Sequence, residues 1–155
     1  MRKLTKRFII DSISNLNLSN PIRYERYYIN DNLRVQSKNN RFEKEILDDN
    51  NNVIEKIKIS EKEFLELKKV SYSEIIRDSY LFLEDNRISI KKYLGKYIGL
   101  YRAEVTLNSI EERDVYIKEE WMGKEITHSP LGFDKELSKL SEDEFKNELK
   151  KYLKY

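Results

Sequence analysis

The sequence predicts an α+β protein that is mainly antiparallel β, with about three short helices. Several stretches alternate apolar and polar residues with period two, three serines open helix-like runs, and Asp85-Asn86 marks a turn between two alternating segments. Polar residues on one face and apolar residues on the other suit antiparallel strands, not a parallel sheet buried on both faces.

Leu33-Arg34-Val35-Gln36 sets Arg34 and Gln36 on one face, with Leu33 and Val35 on the other. Ile54, Lys56 and Lys58 alternate with Glu55, Ile57 and Ile59, and Asp48-Asp49-Asn50-Asn51-Asn52 is a solvated turn before them. Ser79 to Phe82, Ile88 to Tyr93 and Leu100 to Leu107 are strand-like in the same way. The run Arg23-Tyr24-Glu25-Arg26-Tyr27-Tyr28 could stack bases, but alternating tyrosines read better as cross-strand packing.

Helices are expected from Ser60, Ser109 and Ser141, each followed at the third residue by Glu63, Glu112 or Glu144. In a capping box the serine oxygen accepts a backbone N–H and the glutamate reaches back. The last helix has Phe145, Leu149 and Leu153 every fourth residue, and its acids precede Lys150, Lys151 and Lys154, complementing the dipole. Those lysines read as a solvated helix end.

A length of 155 residues fits one domain spanning 1–155, with no Pro- or Gly-rich linker and no repeat. Charged residues make up 37% of the chain, yet 30 Lys+Arg nearly cancel 28 Asp+Glu, which argues against a simple polybasic nucleic-acid binder. The absence of Cys removes disulfides and thiolate chemistry, and a single His excludes a histidine-rich metal centre. His128, in a polar turn before Pro130, reads as structural or solvated. Four scattered glycines assemble neither a P-loop nor a dinucleotide fingerprint. The basic start, followed only by Phe8-Ile9-Ile10, is too short in apolar residues for a secretory signal or a membrane span. The expectation is a cytoplasmic protein without membrane partners.

Two adjoining segments are more specific. Tyr93-Leu94-Gly95-Lys96-Tyr97-Ile98-Gly99-Leu100-Tyr101-Arg102-Ala103-Glu104-Val105-Thr106-Leu107 resembles the F-x-G-x-x-x-G-L-x-x-A-E-V-E-L strand pair of the CYTH family, the triphosphate tunnel metalloenzymes. Trp121-Met122-Gly123-Lys124-Glu125-Ile126-Thr127 is similar to that family's W-x-G-x-E-V-T, with Phe133 and Leu137 following at the family's distance. More weakly, Arg2 to Ile10 takes the place of the opening E-I-E-R-K-F-L-V strand, Leu33 to Gln36 that of R-V-R, and Ser60 onwards that of the first helix.

The resemblance implies an eight-stranded antiparallel barrel open as a tunnel. Inward Arg and Lys would cradle a triphosphate, and inward Glu and Asp would hold Mg²⁺ or Mn²⁺. Family activities include triphosphate hydrolysis and adenylyl cyclisation. Here most acids of the pattern are replaced: Lys3, Thr5 and Arg7 stand against E-x-E-x-K, and Arg34 and Gln36 against R-x-R. Arg77 and Ser79 stand against K-x-R, Lys91 replaces the aspartate before F-x-G, and of A-E-V-E only Glu104 survives. Ile54 and Lys56 fall nearest to two acids of the R-x-E-x-E strand, and Lys44 matches the lysine of the following strand.

Arg7, Arg34, Arg77 and Lys91 are therefore the expected phosphate contacts, with Lys3, Lys44 and Arg102 as further candidates. Glu104 is the remaining candidate metal ligand. A lysine ammonium can pair with phosphate as a point charge but cannot acidify water as a metal does. The expected function is binding of a triphosphate-type anion with weak or no metal-dependent hydrolysis. The ligand would be a nucleotide, inorganic triphosphate or an RNA 5′ end, held in a basic lumen. Two alternatives stand beside it. One is an active Mg- or Mn-dependent triphosphatase or adenylyl cyclase, its acids rebuilt from Glu43, Glu45, Glu55 or Glu112. The other is a degenerate barrel acting as a protein-interaction module, its tunnel filled by Tyr27, Tyr80 and Tyr93, with Glu104 paired to Arg102 or Arg34.

Overall fold

The computed structural model describes residues 4–153. Eight strands run β1 Leu4–Ile10, β2 Ile22–Asn30, β3 Leu33–Lys38, β4 Arg41–Leu47, β5 Val53–Lys58, β6 Ser73–Leu81, β7 Ile88–Leu94 and β8 Tyr101–Leu107. The helices are α1 Glu61–Lys69, α2 Ile110–Val115, α3 Asp134–Leu137 and α4 Glu142–Tyr152. The one-turn α3 is additional to the three expected from sequence, and β6 starts six residues before the expected Ser79. No helix among the described residues is long and apolar enough to cross a membrane.

All ladders are antiparallel, in the order β1-β8-β7-β6-β2-β3-β4-β5. β1 and β5 end the sheet, and among the described residues no ladder joins them. Part of the outer edge of β1 is instead taken by the segment after α2. Ile9 N–H donates to Lys124 C=O at 3.0 Å, Gly123 N–H to Ile9 C=O at 2.7 Å, and Ile126 N–H to Arg7 C=O at 2.7 Å. A Cβ on Gly123 would stand 2.9 Å from the Ile9 carbonyl oxygen, so this close approach needs glycine.

Strand parity separates two environments. Phe8, Ile10, Ile88, Ile90, Ala103, Val105 and Leu107 face outward into one apolar cluster covered by Phe82 and Met122. Tyr27 and Val35 face outward under α1, against Phe64 and Ile59. On the inner face, Ile9, Tyr28, Leu47, Ile75 and Tyr93 form a third cluster with Leu131, Leu137 and Phe145, which brings the α3 and α4 region against the sheet. Most of the remaining inward positions are charged, with Tyr24 and Gln36 standing among them.

All three predicted helix caps form. Ser60, Ser109 and Ser141 accept from the N–H of Glu63, Glu112 and Glu144 at 3.1, 3.0 and 3.1 Å. The reciprocal bond closes at Ser141, where its N–H donates to Glu144 at 2.9 Å. The Glu63 and Glu112 carboxylates accept instead from Lys44 and Arg87, so their helices keep only the serine half.

Candidate functional site

A cavity of about 410 Å³ opens on the inner face, and every strand contributes to its wall. Arg7 comes from β1, Tyr24 and Arg26 from β2, Arg34, Gln36 and Lys38 from β3, and Glu43 from β4. Lys56 comes from β5, Arg77 from β6, Lys91 from β7, and Arg102 and Glu104 from β8. The chain from Gly132 to Lys135 closes another part of the wall. Among the described residues this wall has nine cationic side chains against three acidic ones. Alternation in the strands aims these side chains inward while their neighbours pack outward.

Of the residues expected from sequence, Arg7, Arg34, Arg77, Lys91, Arg102 and Glu104 all meet at this cavity. Lys3 lies outside the described residues. Lys44 does not join them: it faces away from the cavity and pairs with Glu63 of α1 at 3.4 Å. The β3–β4 hairpin explains this, because Lys38 pairs with Arg41 around Asn39 and Asn40, both with positive φ (49° and 65°). That register sets Gln36 opposite Glu43 and Arg34 opposite Glu45, so odd-numbered residues of β4 face inward. An Asn-Asn pair between alternating segments is a two-residue type I′ turn signal that fixes this phase.

The acids at the site are engaged by neighbouring donors, most of them cationic. Glu45, 1% exposed, accepts from Arg34 Nε at 2.7 Å, and Lys56 Nζ approaches it at 3.6 Å. Burial would raise the Glu45 pKa, but Arg34 and Arg26 hold it below its ordinary value. Glu104 lies 3.5 Å from Arg7 and 3.8 Å from Arg102, not against Arg34. Burial again opposes its charge, yet Lys91, Arg7, Arg102 and Arg77 together hold its pKa at about 2. Glu43 accepts from Gln36 Nε2 at 2.7 Å.

Sequence reasoning missed Asp134. Its Oδ2 accepts from Arg26 at 2.9 Å and Arg77 at 3.0 Å; its Oδ1 accepts from Tyr93 Oη at 2.6 Å and Arg102 at 3.3 Å. Burial disfavours this carboxylate, but Arg77, Arg102, Arg26 and the Tyr93 hydroxyl hold its pKa well below the usual range. Asp134 opens α3, directly after a 3-10 turn at Pro130–Gly132 whose Leu131 carbonyl accepts from Arg102 at 3.0 Å. A Cβ on Gly132 would lie 2.2 Å from the Ile126 carbonyl, so only glycine lets this turn sit so close. No periodicity marks Asp134, and the one available signal is an acid directly after an aromatic at the start of a short helix.

Several donors remain unspent. The buried Arg7 Nε and Arg102 Nε have no hydrogen-bond acceptor, and Lys91 makes neither a hydrogen bond nor an ion pair among the described residues. Burial lowers the Lys91 pKa to about 7, and Arg77 adds to that fall. Burial likewise lowers that of Arg26, whose nearest repulsive neighbours are Arg34 and Arg77. Buried donors without acceptors are costly and the wall carries more cations than acids, so it is complementary to an anion.

The donor set does not fit Mg²⁺ or Mn²⁺. Hard divalent cations need several converging oxygens, and among the described residues no group of three or more His, Cys, Asp or Glu is placed to hold one. Of the acids that could have rebuilt such a centre, Glu45 is taken by Arg34 and Glu112 by Arg87, while Glu55 is exposed on the outer face of β5. Glu43 reaches the cavity, with Gln36 as its donor.

Tyrosines do not fill the lumen. Tyr27 packs outward against Phe64, Tyr80 packs on the outer cluster, and Tyr93 reaches inward to Asp134. A second groove of about 1020 Å³ runs along the unpaired β1–β5 seam and shares Arg7, Asn51, Lys56 and Phe133 with the cavity. His128 lies on this groove.

No protein-family model matches the chain. No curated protein matches it in sequence either. Two crystal structures of NE1496 do match in fold. One is described as a hypothetical protein, with a TM-score of 0.73, 16% identity, and 88% of this chain and 97% of that chain covered. The other is described as the inorganic triphosphatase NE1496, with the same TM-score and identity, covering 89% and 95%. The eight-stranded antiparallel α+β architecture of this chain is thus the CYTH-like fold of a solved inorganic triphosphatase.

Proposed function

We propose that the chain binds a triphosphate-type anion in the cationic cavity and does so without a divalent metal. The ligand would be inorganic triphosphate, or the triphosphate end of a nucleotide or an RNA. The observation that carries this reading is the excess of inward cations over acids, with Lys91, Arg7 Nε and Arg102 Nε lacking acceptors. The likeness in fold to the inorganic triphosphatase NE1496 supports the same ligand class. A volume of about 410 Å³ falls within the range of roughly 300–1,000 Å³ usual for small-molecule sites.

Phosphate contacts are assigned to Arg7, Lys91 and Arg102, with Arg34 and Arg77 supplying field from behind their own ion pairs. Lys44 has no part in this assignment. Glu104, held by Arg7 and Arg102, acts as a spacer between cations and not as a metal ligand. Without a centre that acidifies water, hydrolysis would be slow or absent.

Calorimetry and thermal melts with sodium tripolyphosphate in excess EDTA test this reading, with ATP and 5′-triphosphorylated RNA as comparison ligands. Saturation at about 100 times Kd should stabilise the fold by about 2.7 kcal/mol. The affinity should fall with salt. Failure of all three ligands to bind or shift the melt would overturn the proposal. Phosphate release that requires Mn²⁺ or Mg²⁺ would establish the enzyme reading instead.

A further inference from the structure

The cavity contains an anion of its own. Asp134 reaches the arginines from outside the sheet, from the first residue of a one-turn helix held by the glycine turn at Gly132. Four donors converge on its two oxygens, a coordination that a phosphoryl group would otherwise receive. Other donors on the same arginines are also spent: Arg26 Nε on Gln36, Arg77 Nη1 on Ser79, and Arg102 Nη1 on the Leu131 carbonyl. At the Glu104 end the cations are less well matched, with ion pairs of 3.5 and 3.8 Å and two buried Nε atoms unsatisfied.

We infer that Asp134 is a specificity-determining residue, a fixed internal counter-anion that limits how many phosphoryl charges the cavity accepts. This rests on the phosphate-binding reading above. The carboxylate offsets one of the three charges of the Arg26–Arg77–Arg102 trio and occupies donors of all three, leaving the Arg7–Lys91–Arg102 Nε side open to the ligand. A longer polyphosphate must extend from that side toward the trio, where Asp134 repels it. Like-charge juxtaposition is a common means of rejecting a ligand that otherwise fits. A neutral amide at this position would keep the shape but turn N–H groups toward guanidiniums, freeing those cations for a further phosphoryl group.

The test compares wild type, Asp134→Asn and Asp134→Glu for binding of orthophosphate, pyrophosphate and tripolyphosphate, each at several salt concentrations. In Asp134→Asn, tripolyphosphate should bind about tenfold tighter, the effect of removing one charge within hydrogen-bonding reach. Orthophosphate should change little, so the preference for the longer chain widens and its salt dependence steepens. Asp134→Glu keeps the charge and should keep the wild-type order of affinities. If Asp134→Asn is unfolded in plain buffer, tripolyphosphate should restore its melting transition, where sodium chloride of equal ionic strength should not. Equal or weaker tripolyphosphate binding by a folded Asp134→Asn, or no restoration of an unfolded one, would overturn the inference. Failure of wild type to bind any of the three anions would instead defeat the phosphate-binding reading itself.

Discussion

The Tyr93 hydroxyl donates to Asp134 across 2.6 Å, joining β7 to a helix turn 41 residues further along the chain. Both groups are buried, and Tyr93 is 1% exposed, so the bond has no water to replace it. It ties the segment that carries Asp134 to the sheet that carries the arginines.

Tyr93→Phe removes one donor from a buried carboxylate and leaves the ring in place. The expected cost is about 1–3 kcal/mol, the range for depriving a buried polar group of its partner. Urea unfolding should show a lower midpoint with an unchanged slope. A stability within 0.3 kcal/mol of wild type, roughly the error of additive comparisons, would mean that the three arginines alone satisfy Asp134.

Arg34→Ala should cost about 3–5 kcal/mol, because it strands Glu45 with only the long contact to Lys56. The double change Arg34→Met with Glu45→Leu should be close to neutral, since it removes both buried charges together. Denaturant midpoints of the two variants decide this. The single alanine change is therefore a poor probe of ligand binding, whatever it does to affinity.

Gly132→Ala should destabilise the fold by about 1–3 kcal/mol, as overpacking does. The added methyl would meet the Ile126 carbonyl at 2.2 Å, and backbone cannot yield as a flexible side chain can. The displaced turn carries Asp134, so anion affinity should change along with the melting temperature. Wild-type stability and affinity together would refute the close packing of this turn.

Much of this arrangement is legible in the sequence, because a strand commits alternate residues to one face. Once Arg34 and Gln36 share a face with Val35 on the other, inward and outward follow for the whole strand. The same rule brings Arg7, Arg77, Lys91, Arg102 and Glu104 inward. Parity fails where the phase itself is unknown. Lys44 differs from Glu43 and Glu45 by one step, and the Asn39-Asn40 turn decides which of them sees the lumen. Arg26 is hidden among tyrosines that pack on both faces, and Asp134 opens a one-turn helix too short for any period to place its side chain. Its partners come from β2, β6, β7 and β8, and only the folded chain brings them to it.

Acid should unfold the protein through Glu104 as well as Asp134. A carboxylate whose pKa falls on folding stabilises the native state above its unfolded value, near 4.3, and that stability is lost as pH falls toward the folded value. For Glu104 the window runs down to about 2. Glu104→Gln should flatten this limb of the stability curve. An unchanged slope between pH 4.5 and 2 would show that Glu104 has no net partner in the native state.

Lys91 carries the opposite pH dependence. Its pKa falls to about 7 through burial, with Arg77 and Arg102 adding to the fall and Glu104 opposing it. Between that value and the unfolded pKa near 10.4, the unfolded chain holds a proton that the folded chain lacks. Stability therefore rises with pH across the window, and Lys91→Met should remove that rise. A polyanion bound beside Lys91 favours the ammonium, so binding near pH 8 should take up a proton. Calorimetry in buffers of different ionisation enthalpy would read this as a buffer-dependent heat, present in wild type and lost in Lys91→Met. Lys91 makes no hydrogen bond or ion pair among the described residues, and Glu104 keeps Arg7 and Arg102 without it, so the variant should stay folded while tripolyphosphate affinity drops about tenfold, as expected for one charge at close range. A folded Lys91→Met with wild-type affinity would take Lys91 out of the anion site.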